Sequence, residues 1–274
     1  MDTEINGNNL LFQNLSEPKP FAAGRIGSIE LDCLYNYLHT KTWTQQLKYK
    51  MLNNTGFFPI DDLSLEKFSK LFLDHLKNMD VLAVWRYEDF LFQEQHLDAN
   101  AVKIVMLRSL EPYYHQNPWS YILKDKKVLV IHPYEDSIRQ QYANHTLLFR
   151  DSKILPNFEL KTIKAVQSIA GSHTQFNNWF DAFDFMCDQI RKIDFDVALI
   201  GAGAYGLPLA SFIKTETKKK AVHIGGATQI LFGIKGKRWD VHEDISKLYN
   251  EHWVRPAQHE IPANYQTVEG GCYW

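Results

Sequence analysis

The sequence predicts an α/β protein: a Rossmann-like, mostly parallel sheet with helices on both faces and an N-terminal helical elaboration. Three observations carry that prediction. Short apolar runs of strand length alternate with stretches whose apolar residues recur every three or four positions. The run Val197-Ala198-Leu199-Ile200 leads directly into Gly201-Ala202-Gly203-Ala204-Tyr205-Gly206, a G-x-G-x-x-G turn that opens a helix. No internal repeat or low-complexity linker interrupts the 274 residues, so residues 1–18 read as a polar lead-in and 19–274 as a single α/β domain.

The elements follow in order. Residues 1–18 are polar and Asn-rich and read as loose, ended by Pro18 and Pro20. Residues 21–27 read as a short strand and turn. A helix follows from Ser28, its N-cap, to about His39, with Leu31, Leu34, Tyr35 and Leu38 as the buried stripe. Residues 40–60 are mixed, with a turn marked by Gly56 and Pro59. Residues 64–79 form an amphipathic helix capped by Ser64. Strands are expected at 80–85, 103–110, 127–131, 158–166 and 220–224, besides the run before the glycine turn. Helices are expected at 86–96, from 117 onward with Pro118 in the first turn, at 135–145, at 228–232 and at 241–252. Phe176, Trp179, Phe180, Phe183, Met186, Cys187 and Ile190 make a helical stripe read as core.

Composition excludes several classes. Hydrophobic residues are 45% and charged ones 23%, an ordinary globular balance. A net charge of −2 gives no electrostatic case for nucleic acid. Cys33, Cys187 and Cys272 are odd in number and far apart, which argues against a disulfide framework or a zinc knuckle. No secretory signal pattern and no apolar run of membrane-spanning length is seen, so the expected location is cytoplasmic, with peripheral association at the inner membrane surface kept open.

In an open parallel sheet, ligands sit beyond the carboxyl ends of the strands. That rule gathers Gly27-Ser28-Glu30, Arg86, Arg108, His132-Tyr134-Glu135, the 201–206 turn and His223-Gly225-Gly226 into one place. The glycine turn is expected to hold a nucleotide or phosphate through Gly201, Gly203, Tyr205 and Gly206, with Gly27, Gly225 and Gly226 beside it. A dinucleotide fingerprint needs an acid at the end of the next strand, and 221–226 has none, which counts against NAD and adenosylmethionine. Gly24-Arg25-Ile26-Gly27-Ser28-Ile29-Glu30 puts a cation, a hydroxyl and a carboxylate at a strand end. Arg25 would clamp a phosphate, and Glu30 would be a base or a metal ligand. Lys235, Lys237 and Arg238, between Gly233 and Trp239, are expected either to face a diphosphate or to be solvated surface.

The R-x-G-x-x-E turn at Arg25–Glu30 and the late glycine loop resemble the bacterial GT-D-fold glycosyltransferases and their GT-D-like relatives. Lys127 to Pro133, Gly225-Gly226-Ala227-Thr228-Gln229 and Gly233 to Trp239 look like the GT-D-like subgroup found with surface-polysaccharide genes. The resemblance covers roughly residues 20–274. It implies transfer of a hexose from a nucleotide-sugar, UDP-linked, to a glycan or lipid-linked glycan acceptor. In that family a D-x-E motif holds a divalent metal, Mn or Mg, and the donor diphosphate. Here Glu30 matches the Glu, and Ser28 stands where the Asp would be. Carried over, Glu30, Ser28 and Arg25 are the expected catalytic group, Glu30 the metal ligand, and Lys235, Lys237 and Arg238 the diphosphate contacts. An NAD-dependent oxidoreductase and a non-catalytic nucleotide-sugar binding protein are the alternatives. The oligomeric state stays open, a homo-oligomer among the options.

Overall fold

The structure is a computed structural model and describes residues 3–274. The chain opens with helix α1 (Glu4–Ser16), strand β1 (Phe21–Arg25) and helices α2 (Ser28–His39), α3 (Gln45–Lys50) and α4 (Asp62–Lys77). Then come β2 (Val81–Val84), α5 (Tyr87–His96), β3 (Lys103–Met106), β4 (Lys127–His132), α6 (Glu135–Tyr142), α7 (His145–Leu148) and β5 (Glu159–Lys164). The last part holds α8 (Trp179–Arg191), β6 (Val197–Ile200), α9 (Gly206–Phe212), β7 (Lys220–His223), α10 (Ala227–Leu231) and α11 (Lys237–Asp240).

The seven strands make one sheet, in the order β3-β2-β1-β7-β6-β4-β5. Every pairing is parallel, with Ala23 opposite Val81 and Val222, and Val130 opposite Leu199. Successive strand residues face opposite sides, so alternate positions feed two separate cores. Ala22, Leu82, Ile131, Ile200 and Ala221 join the apolar faces of α2, α4, α8 and α9 on one side. Phe21, Val81, Val130, Leu199 and Val222 join α1, α6 and α10 on the other.

The topology explains which helix lies where. Steps from β1 to β2 to β3, and from β5 to β6 to β7, run one way across the sheet, and their helices fill the first core. The steps from β3 to β4 and from β4 to β5 run the other way and fill the second core. Right-handed crossovers require that segregation. Beyond adjacent β1 and β7, the chain leaves toward opposite faces, into α2 and α10. Such a switch point opens a crevice at the carboxyl ends.

Four expectations are corrected. Residues 4–16 form a helix capped by Thr3, not a loose lead-in, because Leu11 and Leu15 are wholly buried in the second core. The expected 103–110 strand stops at Met106 and turns into a 3-10 helix, Leu107–Leu110. The helix expected from 117 is likewise a 3-10 turn, Trp119–Leu123, held by the Trp119 indole donating to the Leu110 carbonyl. Over 241–252 only Ser246–Leu248 is helical. Val241 there is 88% exposed, and core packing begins only at Ile245, Leu248 and Tyr249, too short a run to hold a longer helix. Smaller shifts affect caps: Gly27, not Ser28, is the N-cap of α2, and Asp61, not Ser64, caps α4 by accepting from the Ser64 amide.

Candidate functional site

A cavity of about 480 Å³ lies beyond the carboxyl ends of β1, β2, β4, β6 and β7. Its wall includes Arg25, Gly27, Ser28, Glu30, Gly201, Gly203, Tyr205, Gly225, Gly226 and Arg238. Those are residues the sequence singled out, now drawn from four separated stretches. Gly206 lies just behind the wall. Lys235 and Lys237 are not brought there. The Lys235 ammonium sits 5.3 Å from the centre of the Tyr249 ring, and the Lys237 ammonium donates to the Gly270 carbonyl at 3.0 Å.

The β1 turn concentrates the charge. Gly27, the N-cap of α2, has no side chain to cap the helix, and the Glu30 amide meets its own carboxyl, which leaves the Ser28 and Ile29 N–H groups near the cavity. The Glu30 side chain folds back over Gly27, where a Cβ would overlap its Oε2. Glu30 is only 8% exposed. Burial pushes its pKa up, against the opposing pull of its own amide and of Arg25 and Arg86. Arg25 lies against the Gly225 backbone, so close that a Cβ there would sit 2.6 Å from Nη2. Among the described residues Arg25 has no ion pair and no side-chain hydrogen bond. Two acids feel its charge, Glu30 and Glu111. Burial raises both, Glu111 to about 7, and neither forms an ion pair with the guanidinium. A half-buried guanidinium without a partner is an anion site in waiting.

The β6 turn uses its glycines differently. A Cβ on Gly201 would sit 2.6 Å from the His132 ring, and one on Gly206 would overlap the His223 ring. Gly203 has φ +52°, and its nearest neighbour is the Thr55 carbonyl. Both histidines are buried and line the cavity. Burial pushes each down to about 3, so both rings are neutral. His223 Nδ1 donates to the Ile200 carbonyl at 3.1 Å, leaving Nε2 as an acceptor. His132 Nδ1 accepts from the Tyr134 amide at 3.0 Å, leaving Nε2–H as a donor. Tyr205 is a wall: its ring stacks on Trp179 at 4.8 Å, and its hydroxyl meets Ser168 Oγ at 3.2 Å.

Other wall residues escaped the sequence reading: Trp85, Gln167, Ser168, Glu269, Tyr273 and Trp274. Trp85 is the last residue of the expected 80–85 strand, so its position was the available signal. The last three carried none, because they lie in an irregular stretch that long-range bonds pull into place. Gln229 Nε2 donates to the Tyr273 carbonyl at 3.0 Å, the Lys237 amide to Trp274 O at 3.0 Å, and the Arg238 amide to Cys272 O at 2.9 Å. Arg238 pairs with Glu269, and its guanidinium carbon stands 4.9 Å from the centre of the Tyr273 ring.

The donor set around Glu30 does not fit a divalent cation. A hydroxyl stands at Ser28 instead of a second carboxylate, and the Arg25 guanidinium is close enough for its charge to act on Glu30. Elsewhere Asp136, His259 and Glu260 bring three ligand atoms within 4.8 Å of one another. Glu260 is already engaged there by the amides of Asp136 and Ser137 and by the Ser137 hydroxyl.

A crevice of ligand size at a switch point is where open parallel α/β sheets hold their ligands. Residues 9–231 match the family described as GT-D fold-like domain, and the chain belongs to that family. Neither the curated proteins nor the solved structures searched contained a match. The fold is thus of glycosyltransferase type. No described helix is long and apolar enough to cross a membrane.

Proposed function

We propose that this protein transfers a hexose from a nucleotide-sugar, UDP-linked, to a glycan or lipid-linked glycan acceptor, and that residues 19–274 act as one domain in doing so. The observation that carries the reading is Arg25, a guanidinium with no ion pair inside a cavity at the switch point. A sugar diphosphate supplies the missing anion, and the uncapped start of α2 adds amides for it. As the glycosidic bond to the donor breaks, charge grows on the leaving diphosphate. Arg25 and Arg238 stabilise it there. Glu30 takes the proton of the acceptor hydroxyl, a role favoured by its raised pKa. The basic loop contributes Arg238 to this scheme, not Lys235 or Lys237.

An NAD-dependent oxidoreductase is disfavoured because β7 ends at His223 and continues into Ile224-Gly225-Gly226, without the acid that would hold a ribose. Ser28 favours one second reading, a nucleotide-sugar binding protein without turnover. Calorimetry with UDP, UDP-glucose, UDP-galactose and NAD tests the first point. Binding of UDP ligands without NAD binding is expected, and the reverse pattern would overturn the proposal. Release of UDP in the presence of glycan acceptors then separates a transferase from a binding protein.

A further inference from the structure

The family match ends at residue 231, yet the cavity is closed by side chains from beyond it: Arg238, Glu269, Tyr273 and Trp274. One of them is left in an unusual state. Trp274 is 8% exposed, and its indole Nε1 is buried with no hydrogen-bond partner. A buried donor without an acceptor is costly, about 1–3 kcal/mol, so proteins rarely leave one. Tyr273 beside it packs against Gly226, where a Cβ would sit 2.6 Å from its ring. Its hydroxyl has no hydrogen bond among the described residues and feels the charge of both Arg238 and Arg25. The segment itself is firmly anchored through its backbone, to Gln229, Lys237 and Arg238. Its position is therefore fixed, while the Trp274 indole N–H and the Tyr273 hydroxyl are unused.

We propose that residues 268–274 form the recognition wall for the sugar donor, with Trp274 Nε1–H and Tyr273 O–H donating to oxygen atoms of the bound nucleotide-sugar. The inference rests on the donor reading above and names the atoms that recognise it. The accepting oxygen belongs either to the diphosphate or to a sugar hydroxyl, which share the same acceptor chemistry.

The test replaces Trp274 by 3-benzothienylalanine, in which sulfur takes the place of the N–H and the shape is kept. Trp274→Phe and Tyr273→Phe are measured beside it. Affinities for UDP and for UDP-hexose are read by calorimetry on the full chain. Loss of one buried hydrogen bond predicts roughly tenfold weaker binding for the isostere, with a smaller loss for Tyr273→Phe. A loss shared by UDP and UDP-hexose assigns the acceptor to the phosphates, and a loss confined to UDP-hexose assigns it to the sugar. Unchanged affinity of the isostere for both ligands overturns the inference and leaves the donor reading standing. Failure of the wild-type chain to bind either ligand overturns the donor reading, and this inference with it.

Discussion

The β1 and β6 turns occupy equivalent places at the carboxyl ends of neighbouring parts of one sheet, and both are rich in glycine. They use it for opposite ends. In the β1 turn, Gly27 makes room for the carboxyl of Glu30, and the turn leaves Arg25 without an ion pair. In the β6 turn, Gly201 and Gly206 make room for two buried imidazoles, and Gly203 approaches the Thr55 carbonyl. One turn presents unsatisfied charge to the cavity, and the other supplies a tightly packed wall. A glycine pattern associated with nucleotides can thus be required by protein packing even where it lines a ligand cavity.

The comparison breaks most sharply at Glu30. Glu30→Gln keeps size and removes the titratable group. Turnover should fall about 10²–10⁴-fold while the melting temperature holds or rises, since a buried carboxylate is removed. A mutant with wild-type turnover would make the β1 turn structural, like its counterpart. Next comes Arg25→Ala, which should weaken UDP binding about 10–100-fold, the range of a lost charge-assisted contact of 1.5–3 kcal/mol. Calorimetry reads it directly, and an unaltered dissociation constant would show that the guanidinium does not meet the anion.

The β6 turn should fail by another route. Gly206→Ala places a methyl on the His223 ring, and overpacking of that kind costs about 1–3 kcal/mol. Urea unfolding should show the loss, and the double change Gly206→Ala with His223→Ala should recover part of it. If Gly206→Ala folds as stably as wild type but loses UDP binding, the glycine serves the ligand and the contrast collapses.

The most gradual effect is on pH dependence. His132 and His223 have folded pKa values of about 3, below their ordinary value. The unfolded chain then binds more protons between those limits, so stability is complete above about pH 6.5 and falls as pH drops toward 3. Each ring contributes a slope of at most about 1.4 kcal/mol per pH unit. His223→Asn should flatten the profile by one ring's share, and an unchanged profile would mean that the imidazole is not held neutral by burial.

Much of this architecture was legible in residue order. Alternation of apolar runs with helical stripes dictates a parallel sheet covered on both faces, because strands buried on both sides must be apolar throughout. The position of a residue just after a strand placed Arg25, Ser28, Glu30 and the 201–206 turn at one end of that sheet, since all parallel strands finish together. Local pattern failed where distant partners set the conformation. The polar 4–16 stretch is a helix because Leu11 and Leu15 find the sheet. Lys235 and Lys237 look like phosphate ligands in sequence, but an aromatic ring and a carbonyl hold them outside the cavity. The neutrality of His132 and His223, the missing ion pair of Arg25 and the unused Trp274 indole were decided only by tertiary structure. Periodicity encodes burial along a single element, whereas charge state and hydrogen-bond satisfaction depend on what the rest of the chain brings within a few ångströms.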